Sequence, residues 1–339
     1  MRTHFAVAAM VAAALAGPAE AGKTLDTIKQ RDQLACGVNT ALAGFSAADS
    51  QGNWSGMDVD FCRAIAAAIL NDPKKVKWVP LNASQRFTAL QSGETDVLSR
   101  NTTWTLTRDA SLGLEFTAVM YYDGQGFMVP TKLKVTSAKQ LKGATVCVQS
   151  GTTTEKNLND YSNANSLAMK PVVFETFEAS VKAFFAGRCQ AYTTDASGMA
   201  SIRNKEASNP DDYVILPELI SKEPLGPAVR RGDDDFFTIV KWMVFVLTEA
   251  EEYGITQGNV DGLRLSSKDP VIQRILGTSE DTGKLLGLDK DWAYRAIKGV
   301  GNYGEIFERN VGPKSALKLP RGLNNLWNKG GLLYAPPVR

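Results

Sequence analysis

Residues Asp96 to Arg108 read Asp-Val-Leu-Ser-Arg-Asn-Thr-Thr-Trp-Thr-Leu-Thr-Arg, and the fold is organised around this stretch. Its first four residues have the character of a short strand, and hydroxyl and amide side chains follow before the final arginine. Such side chains pack poorly in a core, and the planar fork of a guanidinium suits a carboxylate. The stretch therefore predicts a site for the carboxylate of a small ligand. The alternative is a capped helix start followed by a surface arginine.

The chain begins with a sequence typical of a secretory signal peptide. A positive start at Arg2 precedes an apolar run from Phe5 to Gly17, and residues 19–21 read Ala-Glu-Ala, a small-x-small cleavage site. The apolar run is too short to cross a bilayer as a helix. Gly22, rather than a cysteine, follows the expected cut, so no lipid anchor is expected there. These features predict an exported periplasmic protein.

Charge and length narrow the function further. The net charge of the 339 residues is +2, and removing residues 1–21 leaves it at +2 because one arginine and one glutamate are lost together. A nearly neutral chain gives no support for nucleic-acid binding, which needs a clustered basic surface. A chain of this length can bury large cores and is expected to form two domains.

The one histidine of the chain, His4, falls within the predicted signal peptide. The exported protein would then contain none, which removes histidine-dependent catalysis, Ser-His and Cys-His pairs and most zinc sites. We therefore expect no metal and no cofactor. The lack of histidine therefore favours a binding protein over a hydrolase or a metalloenzyme.

Predicted strands and helices alternate along the first hundred residues that follow the signal peptide. Strands at Leu34–Val38, Val76–Leu81 and Asp96–Ser99 are separated by helices at Asp58–Leu70 and Ser84–Gln91, which follow the hydrophobic periods of each element. The order β-α-β-α-β implies a parallel sheet with helices on both faces.

The alternation breaks near residues 121–126 and then begins afresh. The later strands are predicted at Gly126–Pro130, Ala144–Gln149, Val172–Phe174, Cys189–Thr194 and Tyr213–Leu216. We interpret this as a second α/β lobe, residues 126–225, inserted into a first lobe of residues 22–125 and 226–339. Crossings near 124–127 and 221–226 would form a two-stranded hinge, with a ligand cleft between the lobes.

Polar stretches follow the carboxyl ends of the predicted strands, where ligands bind in open parallel sheets. They would line the cleft with Asn101, Thr103 and Arg108 on one lobe, and with Thr152, Thr153 and Asp195 on the other. An arginine and an aspartate that face one small cavity describe an α-amino acid.

Each of these features also has a purely structural explanation. Thr152 to Glu155 fits a capping box, and Asp195 fits a helix N-cap. Phe45, in the loop after the first strand, fits the core as well as a ligand platform. It is therefore the joint placement of the polar residues at strand ends that indicates a ligand site.

The chain contains four cysteines, Cys36, Cys62, Cys147 and Cys189, and an even number in an exported protein suggests disulfides. Three pairings are possible. Cys36–Cys62 with Cys147–Cys189 is favoured because each bond then lies within one predicted lobe. Four buried free thiols are the alternative.

Several short motifs occur in the order seen in periplasmic amino-acid-binding proteins of ABC importers. They are residues 56–61 (Gly-Met-Asp-Val-Asp-Phe), 90–96 (Leu-Gln-Ser-Gly-Glu-Thr-Asp), 101–105 (Asn-Thr-Thr-Trp-Thr) with Arg108, 141–143 (Leu-Lys-Gly) with 151–153 (Gly-Thr-Thr), and 187–191 (Gly-Arg-Cys-Gln-Ala) with Asp195. The chain resembles this family over about residues 25–255 and is most similar to its general L-amino-acid-binding subgroup. The resemblance implies a periplasmic-binding-protein type II-like fold, whose two lobes close on a ligand without performing a reaction.

The resemblance also implies roles for individual residues. Arg108 would pair with the α-carboxylate, helped by Thr103 and by Thr153 with its neighbouring backbone N–H groups. Asp195 would pair with the α-ammonium together with the Asn101 carbonyl. The partners implied are an L-amino acid and the membrane permease of an ABC importer, with the binding protein acting as a monomer.

The loop after the first strand departs from the family members that select basic amino acids. Those members carry an acidic residue and a stacking aromatic there, whereas the matching positions here are Asn39 and Leu42. A pocket that reads the shared ammonium and carboxylate groups beside an uncharged side-chain region should be permissive. We therefore expect broad specificity for L-amino acids.

Three other function classes stay open. A dehydratase or lytic enzyme on the same fold would need a carboxyl such as Glu155 or Asp195 as general acid. A ligand-sensing module is usually joined to a transmembrane segment, which the sequence does not show. A purely structural exported protein leaves the polar strand ends unexplained. The segment after about Asp261 has no assigned role, and we hypothesise that it wraps the first lobe.

Overall fold

The computed structural model describes residues 24–339. The predicted signal peptide, residues 1–21, lies outside the described residues. Among residues 24–339 no helix combines the length and apolar character needed to cross a membrane.

Strands and helices alternate as the sequence predicts, and their bounds differ from the expected ones by a few residues. The strands are β1 Leu34–Val38, β2 Ala41–Leu42, β3 Ser46–Ala48, β4 Trp54–Ser55, β5 Val76–Pro80, β6 Val97–Leu98, β7 Leu114–Phe116, β8 Tyr121–Asp123, β9 Gln125–Pro130, β10 Thr145–Gln149, β11 Lys170–Phe174, β12 Ala191–Asp195, β13 Tyr213–Ile215, β14 Glu223–Leu225 and β15 Ala228–Arg230. The α-helices are α1 Thr24–Arg31, α2 Met57–Leu70, α3 Arg86–Gln91, α4 Leu106–Ser111, α5 Thr153–Ala164, α6 Phe177–Phe185, α7 Ala196–Glu206, α8 Asp234–Glu252, α9 Val260–Ser266, α10 Pro270–Ile275, α11 Trp292–Val300 and α12 Tyr303–Asn310.

The first sheet has the strand order β5-β1-β6-β15-β7. Strand β1 pairs in parallel with β5 and β6, so that Cys36 lies opposite both Trp78 and Val97. Strand β15 runs antiparallel to β6 and β7 and comes from the far end of the chain. The first sheet and the helices around it therefore form a lobe, lobe 1, that the chain leaves and later re-enters.

The second sheet has the order β11-β10-β12-β9-β13. Strand β10 is parallel to β11 and β12, while β9 is antiparallel to β12 and β13. Alternate side chains of β9 enter two separate cores, with Phe127 in one and Met128 in the other. Helices thus cover both faces of this sheet, as expected for parallel strands, and together they form lobe 2.

A third sheet of two strands, β8 and β14, joins the lobes. The strands are antiparallel, with Asp123 opposite Glu223 and Pro224 opposite Tyr122. This pair confirms the predicted two-stranded hinge and the two-lobed α/β fold. Helices α5 and α7 begin at the carboxyl ends of β10 and β12, on the side of lobe 2 that carries the polar motifs.

Two disulfides link Cys36 to Cys62 and Cys147 to Cys189, with Cα–Cα separations of 6.3 and 5.6 Å. The first joins β1 to α2, and the second joins β10 to the turn before β12. Each bond lies within one lobe, which confirms the favoured pairing. No free cysteine is found among residues 24–339, so the alternative of free thiols does not apply.

The segment after Asp261 packs around lobe 1. Helix α11 lies against α2 and buries Trp292 in the main core, and the Tyr303 hydroxyl of α12 donates to the Met120 carbonyl at 2.7 Å. Further on, the Asn324 carboxamide accepts from the Tyr122 backbone N–H at 2.7 Å and donates to the Tyr122 carbonyl at 3.1 Å. The terminal segment therefore contacts both the core of lobe 1 and the hinge.

Candidate functional site

A cavity that is partly open to solvent lies between the two lobes. Its lobe 1 wall consists of Asn39, Leu42, Arg86, Arg100, Asn101 and Thr103. Its lobe 2 wall consists of Gln149, Thr152, Thr153, Thr154, Phe177, Thr194, Asp195, Ser197 and Gly198. Most of the residues predicted from the sequence are thus brought to one place, and Arg86 and Arg100 join them without having been predicted.

Arg108, predicted to hold the ligand carboxylate, is not among the residues that line the cavity, but it contacts one of them, Thr103. Its Nη1 donates to the Thr103 carbonyl at 2.9 Å, and its guanidinium lies over the Phe87 ring, 5.1 Å from the centroid. Thr105 caps helix α4 by accepting from the Arg108 backbone N–H at 3.3 Å. The capped helix start is therefore real, but the arginine is buried, at 8% exposure, rather than on the surface.

Burial lowers the pKa of Arg108. Removal from water lowers its pKa to about 10, and the negative charges of Glu223 and Asp195 oppose that shift. The guanidinium therefore stays charged at neutral pH. A buried cation of this kind favours an anion brought to it by a ligand.

Arg86 and Arg100 add two more buried cations, each 3% exposed. The Arg100 Nε donates to the Leu81 carbonyl at 2.9 Å. Arg86 is poorly satisfied: its contacts to the Thr102 hydroxyl and the Gly151 carbonyl are 3.4 and 3.5 Å, and its Nε has no partner among the described residues. Burial, followed by repulsion from the neighbouring arginines, places the pKa of Arg86 well below its ordinary value.

These two arginines change the expected electrostatics of the cavity. Asn39 and Leu42 do line it and carry no charge, as the sequence indicates. The surrounding wall is nevertheless positive, because it also contains Arg86 and Arg100. The sequence signal was present at Arg86, which opens helix α3 just beyond the carboxyl end of β5, the side of the sheet where ligands bind.

Asp195 is the first residue before helix α7, yet its carboxylate makes no capping hydrogen bond. The capping contacts come from the hinge instead: Asp123 accepts from the Ser197 backbone N–H at 3.4 Å and from its hydroxyl. The Asp195 carboxylate is therefore left to face the cavity. This arrangement disfavours the purely structural explanation of Asp195.

The negative end of the cavity is strongly desolvated. Burial raises the pKa of Asp195 well above its ordinary value, the nearby charges of Asp123 and Glu223 raise it further, and Arg86 and Arg108 oppose them. Burial also raises the pKa of Asp123 to about 6. A cationic group placed next to Asp195 would favour its ionised form.

Thr152 and Thr153 stand at the N-terminus of the twelve-residue helix α5. Thr152 accepts from the Glu155 backbone N–H at 3.1 Å, and Glu155 reaches back to the Gly151 N–H at 3.0 Å. The capping role proposed for Thr152 is therefore present beside its place in the cavity wall. Backbone N–H groups at a helix N-terminus favour an anionic ligand group.

Hydrogen bonds to Asp58 and Asn39 hold the turn at Asn101 in place. Its backbone N–H donates to Asp58 Oδ2 at 2.9 Å, and its side-chain oxygen accepts from Asn39 Nδ2 at 3.0 Å. Asn101 has a φ of 36°, in the left-handed region that asparagine tolerates. Burial raises the pKa of Asp58 to about 6. Asn39 and Asn101 thus form one hydrogen-bonded unit on the lobe 1 wall.

Phe45 does not reach the cavity wall. It is 2% exposed and packs edge-on against Tyr121, 5.3 Å between ring centroids, within the main core of lobe 1. The alternative reading of Phe45 as a core residue fits this placement. Among residues 24–339 no group of histidine, cysteine, aspartate and glutamate side chains is arranged to hold a metal ion.

The chain is similar to known bacterial proteins that bind solutes outside the cytoplasmic membrane. Residues 34–257 match the bacterial extracellular solute-binding proteins, family 3. The general L-amino acid-binding periplasmic protein AapJ of Rhizobium johnstonii is 59% identical, with all of both chains covered. The glutamate/glutamine/aspartate/asparagine-binding protein BztA of Rhodobacter capsulatus is 54% identical over 96% of each chain.

A solved structure shares the fold over nearly the whole chain. It is an ABC transporter periplasmic binding protein from Brucella ovis with glutathione bound, 57% identical, with a TM-score of 0.91. The match covers 94% of the present chain and 99% of the other.

Proposed function

The chain belongs to the bacterial extracellular solute-binding proteins of family 3, and we propose that it captures L-amino acids of several kinds and delivers them to the permease of an ABC importer. The observation that carries the proposal is the placement of opposite charges on the two walls of one cavity. Arg86 and Arg100 line the cavity from lobe 1, Arg108 bonds the Thr103 carbonyl of the same wall, and Asp195 lines the cavity from lobe 2. An α-amino acid carries a carboxylate and an ammonium on one carbon, so it can pair with both walls at once.

The carboxylate end is proposed to form at Arg108, Thr103 and Thr153. Arg108 supplies a charged guanidinium whose Nη1 already bonds the Thr103 carbonyl, so the arginine and the threonine form a rigid pair. Thr153, the first residue of α5, adds backbone donors at a helix N-terminus. Charge-assisted bonds from both lobes would then converge on one carboxylate.

The ammonium end is proposed to form at Asp195 with the Asn101 carbonyl. Asp195 is buried and free of its own helix. A buried unpaired carboxylate is costly, and a bound ammonium relieves that cost. The ligand would therefore be held by one lobe at each end.

The side-chain end is proposed to admit neutral and acidic side chains more readily than basic ones. Asn39 and Leu42 leave this region without a negative charge, while Arg86 and Arg100 add positive charge. A basic side chain would meet like charge, whereas an acidic one would pair with the underbonded Arg86. The names of the relatives, one for L-amino acids in general and one for acidic residues and their amides, support this breadth.

Closure follows from the same contacts. A ligand that touches both walls binds the closed state more tightly than the open state, and this shifts the population toward the closed state.

We propose that one lobe consists of residues 22–125 and 226–339 and that the other consists of residues 126–225. We also propose that the protein is cut after Ala21 and exported to the periplasm, and that it is a monomer that does not bind nucleic acid.

We also propose that the protein binds its ligand without turning it over, since the close relatives are named as binding proteins. The raised pKa of Asp195 is the feature that would serve a general acid, as in the dehydratase or lytic alternative. Incubation with each bound amino acid and with a cyclohexadienyl acid, followed by ultraviolet absorbance and mass spectrometry, should show unchanged ligand. Product formation would favour the enzyme.

Calorimetric titration tests the binding proposal most directly. The protein would be unfolded and refolded to strip bound ligand, then titrated with acidic, neutral and basic L-amino acids, one D-isomer and one sugar. We expect binding of neutral and acidic L-amino acids with dissociation constants of about micromolar or below. Binding of a single amino acid would contradict the permissive pocket, and binding of none would contradict the proposed function.

A further inference from the structure

Glu223 lies on the hinge strand β14 and is almost fully buried, at 1% exposure. Its Oε2 accepts hydrogen bonds from the hydroxyls of Thr103 at 2.6 Å and Thr153 at 2.9 Å. Its Oε1 accepts from Asn157 Nδ2 at 2.8 Å and from the Ser221 hydroxyl at 2.6 Å. One carboxylate therefore connects lobe 1, lobe 2 and the hinge.

The lobe 1 side of this network is fixed to the hinge by backbone contacts. Thr103 forms an isolated antiparallel bridge with Leu225, and the Trp104 N–H donates to the Pro224 carbonyl at 2.8 Å. Thr103 and Glu223 therefore move together. The bonds from Thr153 and Asn157 belong to helix α5 of lobe 2, so these are the bonds that a hinge opening would break.

The chemistry of the carboxylate also decides what the two threonines can offer a ligand. A carboxylate only accepts hydrogen bonds, so the hydroxyl protons of Thr103 and Thr153 point toward Glu223. The two hydroxyl oxygens are held 3.4 Å apart across the cleft. Their backbone N–H groups, rather than their hydroxyl protons, are then the donors left for a ligand carboxylate.

We propose that Glu223 is a positioning residue for ligand capture, which holds Thr103 and Thr153 from opposite lobes on one carboxylate and so sets the closed geometry of the carboxylate site. The inference rests on the proposed function, because it concerns how the same site is assembled. Glu223 acts through the threonines and is not itself a ligand contact.

Glu218 provides a matched control on the same connection between the lobes. It accepts from the Ala138 N–H at 3.2 Å and from the Ser137 hydroxyl, and both partners belong to lobe 2. Glu218 is therefore a hydrogen-bonded glutamate near the hinge that does not bridge the lobes. Glu218→Gln should leave ligand binding unchanged.

The test compares Glu223→Ala, Glu223→Gln and Glu218→Gln with the wild type, with L-glutamine as the probe. Calorimetry gives the affinity, and small-angle X-ray scattering gives the radius of gyration with and without ligand. We expect Glu223→Ala to weaken binding by about tenfold or more, because several bonds to a buried charged acceptor are lost, and to enlarge the ligand-free form. Glu223→Gln should lose less, since its amide oxygen still accepts two bonds and the threonine hydroxyls can reverse to accept from its NH₂.

A double-mutant cycle separates positioning from general destabilisation. Thr153→Val removes the hydroxyl and keeps the backbone donors. If Glu223 acts through this hydroxyl, Thr153→Val should weaken binding in the wild type and have a clearly smaller effect in Glu223→Ala. A loss of fold stability alone would leave the two effects additive.

The outcomes distinguish the two proposals. Equal L-glutamine affinity in wild type, Glu223→Ala and Glu223→Gln overturns the positioning role and leaves the proposed function standing. Additive effects in the cycle, or equal losses in Glu218→Gln and Glu223→Gln, also overturn it. A wild-type protein that binds no amino acid overturns both proposals.

Discussion

On the lobe 1 wall of the cavity the charged groups are arginine side chains buried within the lobe, whereas the lobe 2 wall presents one carboxylate and the N-termini of two helices. Arg86, Arg100 and Arg108 are held by carbonyl oxygens or left underbonded. Asp195 is released from capping because Asp123 takes that role. Arg86 on one wall is thus poorly satisfied by its own lobe, and Asp195 on the other wall is not used to cap its own helix.

This difference explains how the two lobes divide one recognition task. Neither wall alone can neutralise a zwitterion, and each is least favourable when the cavity contains no ligand. A ligand that compensates the charges of both walls at once therefore binds more tightly than one that compensates the charge of a single wall. Substitutions on each wall test whether the two walls are as unequal as the structure indicates.

Arg108→Ala should have the largest effect. It removes the cation that contacts the lobe 1 wall, and truncating one partner of a buried charge pair costs about 2–5 kcal/mol, or roughly one and a half to three and a half orders of magnitude in affinity. Calorimetry with L-glutamine measures the loss. Arg203→Ala, in the last turn of α7 and away from the cavity, is the control. Wild-type affinity in Arg108→Ala would refute the carboxylate site.

Asp195→Asn should weaken binding almost as much from the opposite wall, by about one to two orders of magnitude. It should also stabilise the ligand-free protein at neutral pH. The pKa of Asp195 is raised by burial, so the stability that its carboxyl contributes is present below its ordinary pKa and lost as the pH rises through the shifted one.

The pH dependence gives the sign of this second effect. The melting temperature of ligand-free Asp195→Asn should exceed that of the wild type at pH 7, and the gap should close as the pH falls toward 4. Thermal unfolding followed by circular dichroism between these pH values measures it. A gap that is constant or widens on acidification would show that Asp195 is not a strained carboxylate.

Arg86→Gln should produce a smaller and more selective effect on the lobe 1 wall. Removing its charge should weaken L-glutamate by roughly tenfold, the value of one bond between charged groups. L-Alanine, which has no side-chain carboxylate, should be nearly unaffected. Titration of both ligands against Arg86→Gln and the exposed control Arg188→Gln measures the ratio. Equal losses for the two ligands would mean that Arg86 contacts the shared end of the amino acid.

The helix caps give the smallest expected effects and compare the walls once more. Thr105→Ala and Thr152→Ala each remove an N-cap, which costs about 1 kcal/mol of unfolding free energy. Thr105 caps α4 away from the cavity wall, while Thr152 caps α5 within it. Urea unfolding should show both losses, and calorimetry should show weaker binding only for Thr152→Ala. An equal loss of affinity in Thr105→Ala would contradict the prediction that only the cap in the cavity wall contributes to binding.

Much of the fold was predictable because each long element has its own hydrophobic period. Strand β1 matches its prediction at both ends, and helix α2 differs by one residue. The short helices α9, α10 and α12 were not predicted, since six to eight residues give little periodicity. Their signals were local ones, such as the capping box of Asn302 with Glu305.

The site was predictable where function and strand ends coincide, and not where three-dimensional packing decides. Asn101 and Thr103 come shortly after strand β6, and Asp195 is the last residue of β12, so their placement follows from the sheets. Arg86 and Arg100 face the cavity because of the way that α3 and the loop after β6 pack. The alternation of strands and helices along the sequence does not reveal this packing. Phe45 shows the converse, an aromatic residue in a polar loop that turns away from the cleft.

The bonds between Asn324 and Tyr122 have a consequence for how the molecule is made. Tyr122 lies opposite Pro224 in the hinge, and the side chain that pairs with its backbone lies 202 residues later in the chain. The strands of both large sheets and of the hinge pair are all complete by Arg230. A growing chain can therefore form these sheets before Asn324 has been synthesised, so the contact that joins the later segment to the hinge is added after the hinge strands exist.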